Sequence, residues 1–303
     1  MGIDFSSSIA YLSVSDNIKI RYGIWPSDKE PVGSVLLLNG RSEFLEKYKE
    51  PIEKLKSRGY YIYSIDWRGQ GLSTRLLKNR HKGYVKDFTD YIKDLLVFFN
   101  KIIEPGAVKP VIMLAHSMGG NIAIRFIHDF PGLVEKAVLT APMFGINTTP
   151  IPVYFVRLLS KYMINSGLEQ SYVIGNGDYI AESQKFKGNK LTSDPKRFKD
   201  HINAVIENPK LALGGVTYGW LSAAFDSIGV ISKPGYFESI KTKILLVSGK
   251  ADRIVSIKAQ KRYSQRMLKC KFILINEAKH EILKERKDVQ ATFWDAFDQF
   301  IGN

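Results

Sequence analysis

Six short stretches of the chain, "VGSVLLLNG", "YYIYSID", "VIMLAHS", "KAVLTAPM", "KILLVSGK" and "KFILINEA", are almost continuous in apolar residues. A strand with one face in water alternates apolar and polar side chains, so runs without alternation require helices on both faces of the sheet. Segments with helical spacing, "EKYKEPIEKLKSRG" and "DFTDYIKDLLVFFNKII", fall between the runs and supply those helices. The alternation of strand and helix predicts an α/β fold: a mostly parallel central sheet flanked by helices, joined by right-handed crossovers. Ahead of the runs, "AYLSVSDNIKIRYGIW" alternates only partly and is broken at Asp16-Asn17, which predicts an antiparallel hairpin at a sheet edge.

The alternation stops between Met143 and Gly235, where the chain becomes helical, aromatic and punctuated by Pro and Gly. With 303 residues and 45% hydrophobic content, one large core carrying an insertion is the expected organisation. Residues 1–142 and 236–303 then form the core and 143–235 an inserted helical cap, or lid. Within "VYFVRLLSKYMI", Tyr154, Phe155, Leu158, Leu159, Tyr162 and Met163 recur on one helical face. Two readings of that stripe stand: it packs the cap on the core, or part of it lines an acyl-binding tunnel. In the second, Phe155, Leu158 and Tyr162 are substrate-binding residues.

Met1 to Val14 lacks a basic and then apolar leader, and nothing later approaches the roughly 18 uninterrupted apolar residues of a spanning helix, so a cytoplasmic protein is expected. The start "MGIDFS" fits the short pattern for myristoylation at Gly2. Cys270 is the only cysteine, which leaves no intramolecular disulfide or multi-cysteine metal site and makes a buried apolar role the expectation. The net charge of +14 attracts polyanions, but zinc-finger spacing, aromatic RNA-binding signatures and arginine-rich arms are missing, so nucleic acid is not an expected partner. The clusters "QKFKGNKLTSDPKRFK" and "KAQKRYSQRMLKCK" read either as solvated helix faces or as peripheral contacts to an anionic membrane.

The chemistry concentrates at "VIMLAHSMGGNIAIRFIHDF", a strand, sharp turn and helix that makes Ser117 the candidate nucleophile. Gly119 lets the strand and helix backbones close around the turn; Ala115 stands where the G-x-S-x-G pattern has its first glycine. The expected chain order is serine, acid, histidine, with the last two on loops after late strands. Asp252 in "SGKADRIV" and His280 in "NEAKHEIL" meet it. His280 takes the serine proton as base while Asp252 fixes its tautomer and stabilises the imidazolium.

The other histidines are set aside for separate reasons. His116 is expected to point away from Ser117 across the turn, His128 lies about three helical turns further on, His201 belongs to the cap, and His81 follows a basic stretch. A tetrahedral intermediate also needs two N–H donors, assigned to Met118, after the nucleophile, and Arg41, within "LLLNGRSEF".

With these residues in place, the chain resembles the α/β-hydrolase family, and within it the lysophospholipase and monoacylglycerol lipase group. The resemblance rests on "NGRSEFLEKY", "DWRGQGLS", "AHSMGG", "LTSDPKR", "GKADRIV" and "AKHEILKE" and spans nearly the whole chain. It implies a serine triad, no metal, no cofactor, and a cap that shapes the acyl site. Asn39-Gly40 stands where many relatives have His-Gly, and Gln70 where the D-x-R-G-x-G-x-S turn often has histidine; Asp66 and Arg68 in that turn are read as structural. The expected function is hydrolysis of a monoacyl lipid ester, with a lysophospholipid or monoacylglycerol as substrate, through an acyl-enzyme. Alternatives are an esterase or thioesterase of small soluble substrates, or a serine aminopeptidase using Asp178, Glu182, Glu207 or Asp226 to hold a free amine. A non-catalytic binding module on the same scaffold is the option from another class.

Overall fold

The computed structural model describes residues 8–302, so the Gly2 acylation pattern lies outside the described residues. The N-terminal hairpin forms as β1 (Ile9–Ser15) and β2 (Ile18–Trp25), antiparallel, with β1 at the sheet edge. The remaining strands are β3 (Gly33–Leu38), β4 (Tyr60–Ile65), β5 (Val111–His116), β6 (Lys136–Thr140), β7 (Lys243–Gly249) and β8 (Cys270–Ile275). They complete an eight-stranded sheet in the order β1-β2-β4-β3-β5-β6-β7-β8, in which β2 pairs antiparallel with β4 and every later pairing is parallel.

The strand alternation hidden in the apolar runs reappears as a division between two cores. In β3, Leu36 and Leu38 join one cluster and Val35 and Leu37 the other; in β7, Ile244 and Leu246 part from Leu245 and Val247 in the same way. The first cluster is covered by α2 (Thr89–Phe98) and α3 (Met118–Asp129), through residues such as Leu95 and Ile122. The second is covered by α1 (Lys49–Ser57) and α8 (Lys287–Gly302), through Ile52, Phe293 and Phe297. A fully buried leucine such as Leu36 is worth about 2–5 kcal/mol against alanine at such a site. Cys270 is half-buried and packs against the first cluster, and burial pushes its thiol up to about 12, so it behaves as an inert apolar group.

Between β6 and β7 the chain runs through α4 (Val153–Asn165), α5 (Pro195–Glu207) and α6 (Tyr218–Ile231) before α7 (Ile257–Ser264) follows β7. Helix α5 starts where the sequence puts Asp194 and Pro195: the Asp194 carboxylate accepts from Arg197 N–H at 3.0 Å, and proline occupies the first turn, where no N–H is required. Arg197 also pairs with Glu50 of α1 at 2.7 Å. Helix α6 buries Trp220, Ala223, Ala224 and Ile231 against the first core cluster.

The aromatic stripe of α4 neither packs on the core nor lines a tunnel, which corrects both readings of it. Phe155, Leu158 and Tyr162 are 59%, 54% and 66% exposed, whereas Ser160 is the one fully buried residue of the helix and Val156 and Ile164 are half-buried. Helical spacing reveals that a face is apolar but not which side the neighbouring helix approaches, and here α6 takes the face opposite the larger side chains. Among the described residues no helix is long and apolar enough to cross a membrane.

Candidate active site

Ser117 sits between β5 and α3 with φ 52° and ψ −115°, a conformation that L residues adopt only under constraint, at about 1–3 kcal/mol. The constraint is visible. Ser117 N–H donates to Thr140 O on β6 at 3.0 Å, and a Cβ on Gly119 would lie 2.6 Å from Asn39 O and 2.7 Å from Leu38 O, so only glycine lets α3 start so close to β3. Ala115 is fully buried within the sheet core. Serine commonly caps a helix with its hydroxyl, but the Ser117 side chain makes no cap bond and turns instead to His280, with Oγ 2.9 Å from Nε2.

The other two groups arrive from the ends of parallel neighbours, Asp252 after β7 and His280 after β8. His280 Nδ1 lies 2.7 Å from Asp252 Oδ2, while Asp252 Oδ1 accepts from Ile254 N–H at 2.7 Å and Val255 N–H at 3.1 Å. Burial alone would raise the Asp252 carboxyl, but the bonds from His280 and from the two amides outweigh it and hold it below its ordinary value. A carboxylate is acceptor only, so Nδ1 carries the proton and Nε2 is left to accept from Ser117 O–H. All three residues are buried.

The N–H groups facing this relay have been sorted by their neighbours. Gly40 N–H donates to Glu43 Oε2 at 2.5 Å and Ser42 N–H to Gln70 Oε1 at 2.7 Å. Between them, Arg41 N–H has no hydrogen-bond partner among the described residues, and neither does Met118 N–H at the positive end of α3. Gln70, the departure from the family turn, links the two donor segments: its Oε1 holds Ser42 and its Nε2 lies 3.5 Å from Met118 Sδ. In the same turn Asp66 accepts from Arg21 Nε and from Leu45 and Leu72 N–H, and Arg68 pairs with Asp94, which are structural roles.

Several supporting residues left no sequence signal. Glu43 takes Gly40 N–H and Tyr48 O–H on one oxygen and Lys47 Nζ on the other at 2.8 Å, and Lys47 also reaches Glu281 at 2.6 Å. Burial works against the Glu43 charge, yet Lys47 and the bond from Tyr48 O–H keep its carboxyl well below the usual range. The His280 loop is stitched to the segment between β6 and β7: Glu281 N–H donates to Leu191 O at 2.8 Å, Thr192 Oγ1 to Lys284 O at 2.7 Å, and the buried Glu285 carboxylate receives Ser193 and Lys279 N–H. Lys47 with Glu281, Leu191 with Glu281, Thr192 with Lys284 and Ser193 with Glu285 join segments far apart in the chain.

His116 is a difference from expectation. The reversal at Ser117 places its ring in the same cavity, 4.8 Å from the His280 ring and tilted by 54°, with Nδ1 3.1 Å from Thr140 O. Burial pushes it down to about 4, so it is neutral at pH 7, and among the described residues it is His280, not His116, that hydrogen-bonds Ser117 Oγ. His201 stacks on Phe44, His128 on Tyr236, and His81 accepts from Tyr179 N–H.

Ser117, Met118, Arg41 and His280 line a cavity of about 500 Å³. Its apolar wall comes from Met143, Ile202, Leu213, Trp220, Leu221 and Ile254, not from Phe155, Leu158 or Tyr162. Of the carboxylates considered for an amine site, Asp178 is at this cavity, and Glu182, Glu207 and Asp226 are not. Among the described residues no group of three or more His, Cys, Asp or Glu side chains is arranged to hold a metal ion.

Residues 29–287 match the Hydrolase_4 family, described as serine aminopeptidase, S33. Lysophospholipase L2 of Escherichia coli K12 is 31% identical over 277 residues, covering 88% of this chain and 80% of that one. The monoacylglycerol lipase of Mycolicibacterium smegmatis is 24% identical over 242 residues, covering 79% and 77%. A soluble variant of Saccharomyces cerevisiae monoglyceride lipase, solved with a substrate analog, superposes with a TM-score of 0.77 at 18% identity, over 96% of this chain and 93% of that one. The chain belongs to the Hydrolase_4 family: it is an α/β-hydrolase similar to lysophospholipases and monoacylglycerol lipases, and a carboxylic ester hydrolase.

Proposed function

We propose that the protein hydrolyses the ester of a monoacyl lipid, a lysophospholipid or a monoacylglycerol, through an acyl-enzyme on Ser117. The observation that carries the reading is the hydrogen-bonded relay Ser117–His280–Asp252 at the wall of an apolar cavity, with two unspent N–H groups beside it. Ser117 Oγ attacks the ester carbonyl as His280 Nε2 takes its proton, and the negative oxygen that forms is received by Arg41 and Met118 N–H. The C–O bond to the glycerol breaks and the alcohol leaves with the proton from His280. Water then repeats the sequence on the acyl-enzyme, releasing the fatty acid. Residues 143–235 act as the cap over this site, and their bonds to the His280 loop support that role.

The test is a panel of lysophospholipids, monoacylglycerols, short esters, thioesters and aminoacyl amides, run with the wild type and Ser117→Ala. Turnover of monoacyl lipids that disappears in the variant supports the proposal, and near wild-type turnover without Ser117 would refute it. A second reading, release of an N-terminal residue from a peptide, has Asp178 behind it, an exposed carboxylate at the cavity that accepts from Tyr172 O–H and Asn79 Nδ2. Preference for aminoacyl amides over esters in the same panel would establish it.

The exposed aromatic face of α4, on a protein of net charge +14, favours peripheral contact with an anionic membrane. Sedimentation with anionic vesicles that weakens with salt, and weakens again in Leu158→Ser, is the expected result.

A further inference from the structure

The cations lining the Ser117 cavity are Arg41, Lys47 and Arg197. Two of them are neutralised: Lys47 lies between Glu43 and Glu281, and Arg197 between Glu50 and Asp194. Arg41 is not. Among the described residues its guanidinium donates from Nη1 to Ser42 Oγ at 2.9 Å and from Nη2 to Gly214 O at 2.7 Å, both neutral groups, and no carboxylate pairs with it. Its Nε is buried and without a partner. The group lies 5.2 Å from the ring of Trp220, a cavity residue, and occupies the space left by the missing side chain of Gly83, where a Cβ would lie 2.5 Å from Nη2.

A desolvated cation is costly to keep without a counter-charge, and the aromatic face and two neutral acceptors offset only part of that cost. Burial pushes Arg41 down to about 10, which still leaves it positive at neutral pH. A guanidinium carries five N–H donors, more than these two bonds use, in a planar arrangement that matches phosphate oxygens. Arg41 lines the same cavity as Ser117. A Cβ on Gly40 would lie 3.2 Å from Ser117 Cβ, and Arg41 is the next residue. Asp178, an acid at the cavity outside the Lys47 and Arg197 pairs, is already engaged by Tyr172 and Asn79.

We propose that the Arg41 side chain is the anion subsite of the cavity and binds the phosphate of a lysophospholipid headgroup, so that the phosphorylated lipid is preferred over the neutral monoacylglycerol. This rests on the reading of the protein as a monoacyl-lipid hydrolase, and adds a headgroup to it. The same residue then serves twice, its backbone N–H facing the developing oxyanion and its side chain holding the leaving group.

The experiment compares 1-octanoyl lysophosphatidic acid with 1-octanoylglycerol, both monomeric, in the wild type, Arg41→Gln and Arg41→Lys. Arg41→Gln is expected to lower kcat/KM for the phosphorylated ester roughly tenfold or more beyond its effect on the neutral one, mainly through KM, with Arg41→Lys in between. Equal losses on the two substrates overturn the proposal. Calorimetric binding of the two lipids to Ser117→Ala, with and without Arg41→Gln, asks the same question without turnover. Binding selective for the phosphate and dependent on Arg41 supports the subsite even if hydrolysis of both esters fails and the monoacyl-lipid reading falls with it. Wild-type protein is also titrated with inorganic phosphate and with sn-glycerol 3-phosphate as competitors. Stronger competition by glycerol phosphate supports a headgroup site; equal competition by inorganic phosphate, or none by either, overturns it. These competition measurements need no variant to fold.

Discussion

Asp252→Asn tests the relay at the point where the structure dictates the outcome. The carboxylate's two oxygens have different partners: Oδ1 receives Ile254 and Val255 N–H, and Oδ2 faces His280 Nδ1 at 2.7 Å. An asparagine must keep its oxygen at the Oδ1 place, because the reverse orientation would point an amide NH2 at two backbone N–H groups and lose two hydrogen bonds of about 1 kcal/mol each. Its NH2 is then aimed at His280 Nδ1, which must accept, and the imidazole proton moves to Nε2. The ring now presents a donor to Ser117 Oγ, where the reaction needs an acceptor. The expected loss is about 10⁴-fold in kcat, equivalent to about 5 kcal/mol of transition-state stabilisation. Because shape and both amide bonds are retained, the melting temperature should shift little. The assay is kcat/KM on a soluble short-chain chromogenic ester beside a thermal melt. A folded variant that loses less than about tenfold would mean that another group orients His280.

Three further outcomes follow from the surroundings of the site. Glu43→Gln removes one of the two carboxylates holding the buried Lys47 and weakens the bond that fixes Gly40, so urea denaturation should show a loss of about 3 kcal/mol, with kcat falling as well. His201 is half-buried among the side chains around it and its pKa is pushed down from 6.5 to about 3 by desolvation, so the unfolded chain takes a proton there that the folded one refuses; stability falls as pH drops through that window, by about 1.5 kcal/mol between pH 6.5 and 5, and in His201→Phe this part of the pH dependence should vanish. Ile202→Ser, on the cavity wall, should penalise long-chain esters more than short ones, by a fraction of the ~0.8 kcal/mol per buried methylene, whereas Leu158→Ser should leave the chain-length profile on soluble esters unchanged; the opposite pattern would put the acyl site on α4.

The legible part of this protein is the part written in contiguous residues. Each parallel strand announces itself by its own apolar run, and Ser117, Asp252 and His280 by their place just after β5, β7 and β8. Asp194-Pro195 marks the start of α5 for the same local reason. What stayed hidden depends on which segments meet. Glu281, 234 residues from Lys47, and Thr192, 92 from Lys284, carry no mark of the bonds they form. Nor does the sequence show that the turn at Ser117, whose backbone has left the extended region, brings the His116 ring into the cavity instead of turning it away. The outward face of α4 was misplaced because amphipathic spacing is the same whether the apolar side meets protein, lipid or water.

The central claim is that Ser117 becomes acylated during ester turnover. Acid-quenching the enzyme during turnover of a monoacyl ester, followed by digestion and mass spectrometry, reads this directly. An added acyl mass is expected on the peptide containing Ser117, accumulating in the wild type, lost on further incubation and never formed in Ser117→Ala. Steady turnover in Ser117→Ala, or an acyl mass on a different residue, would contradict it.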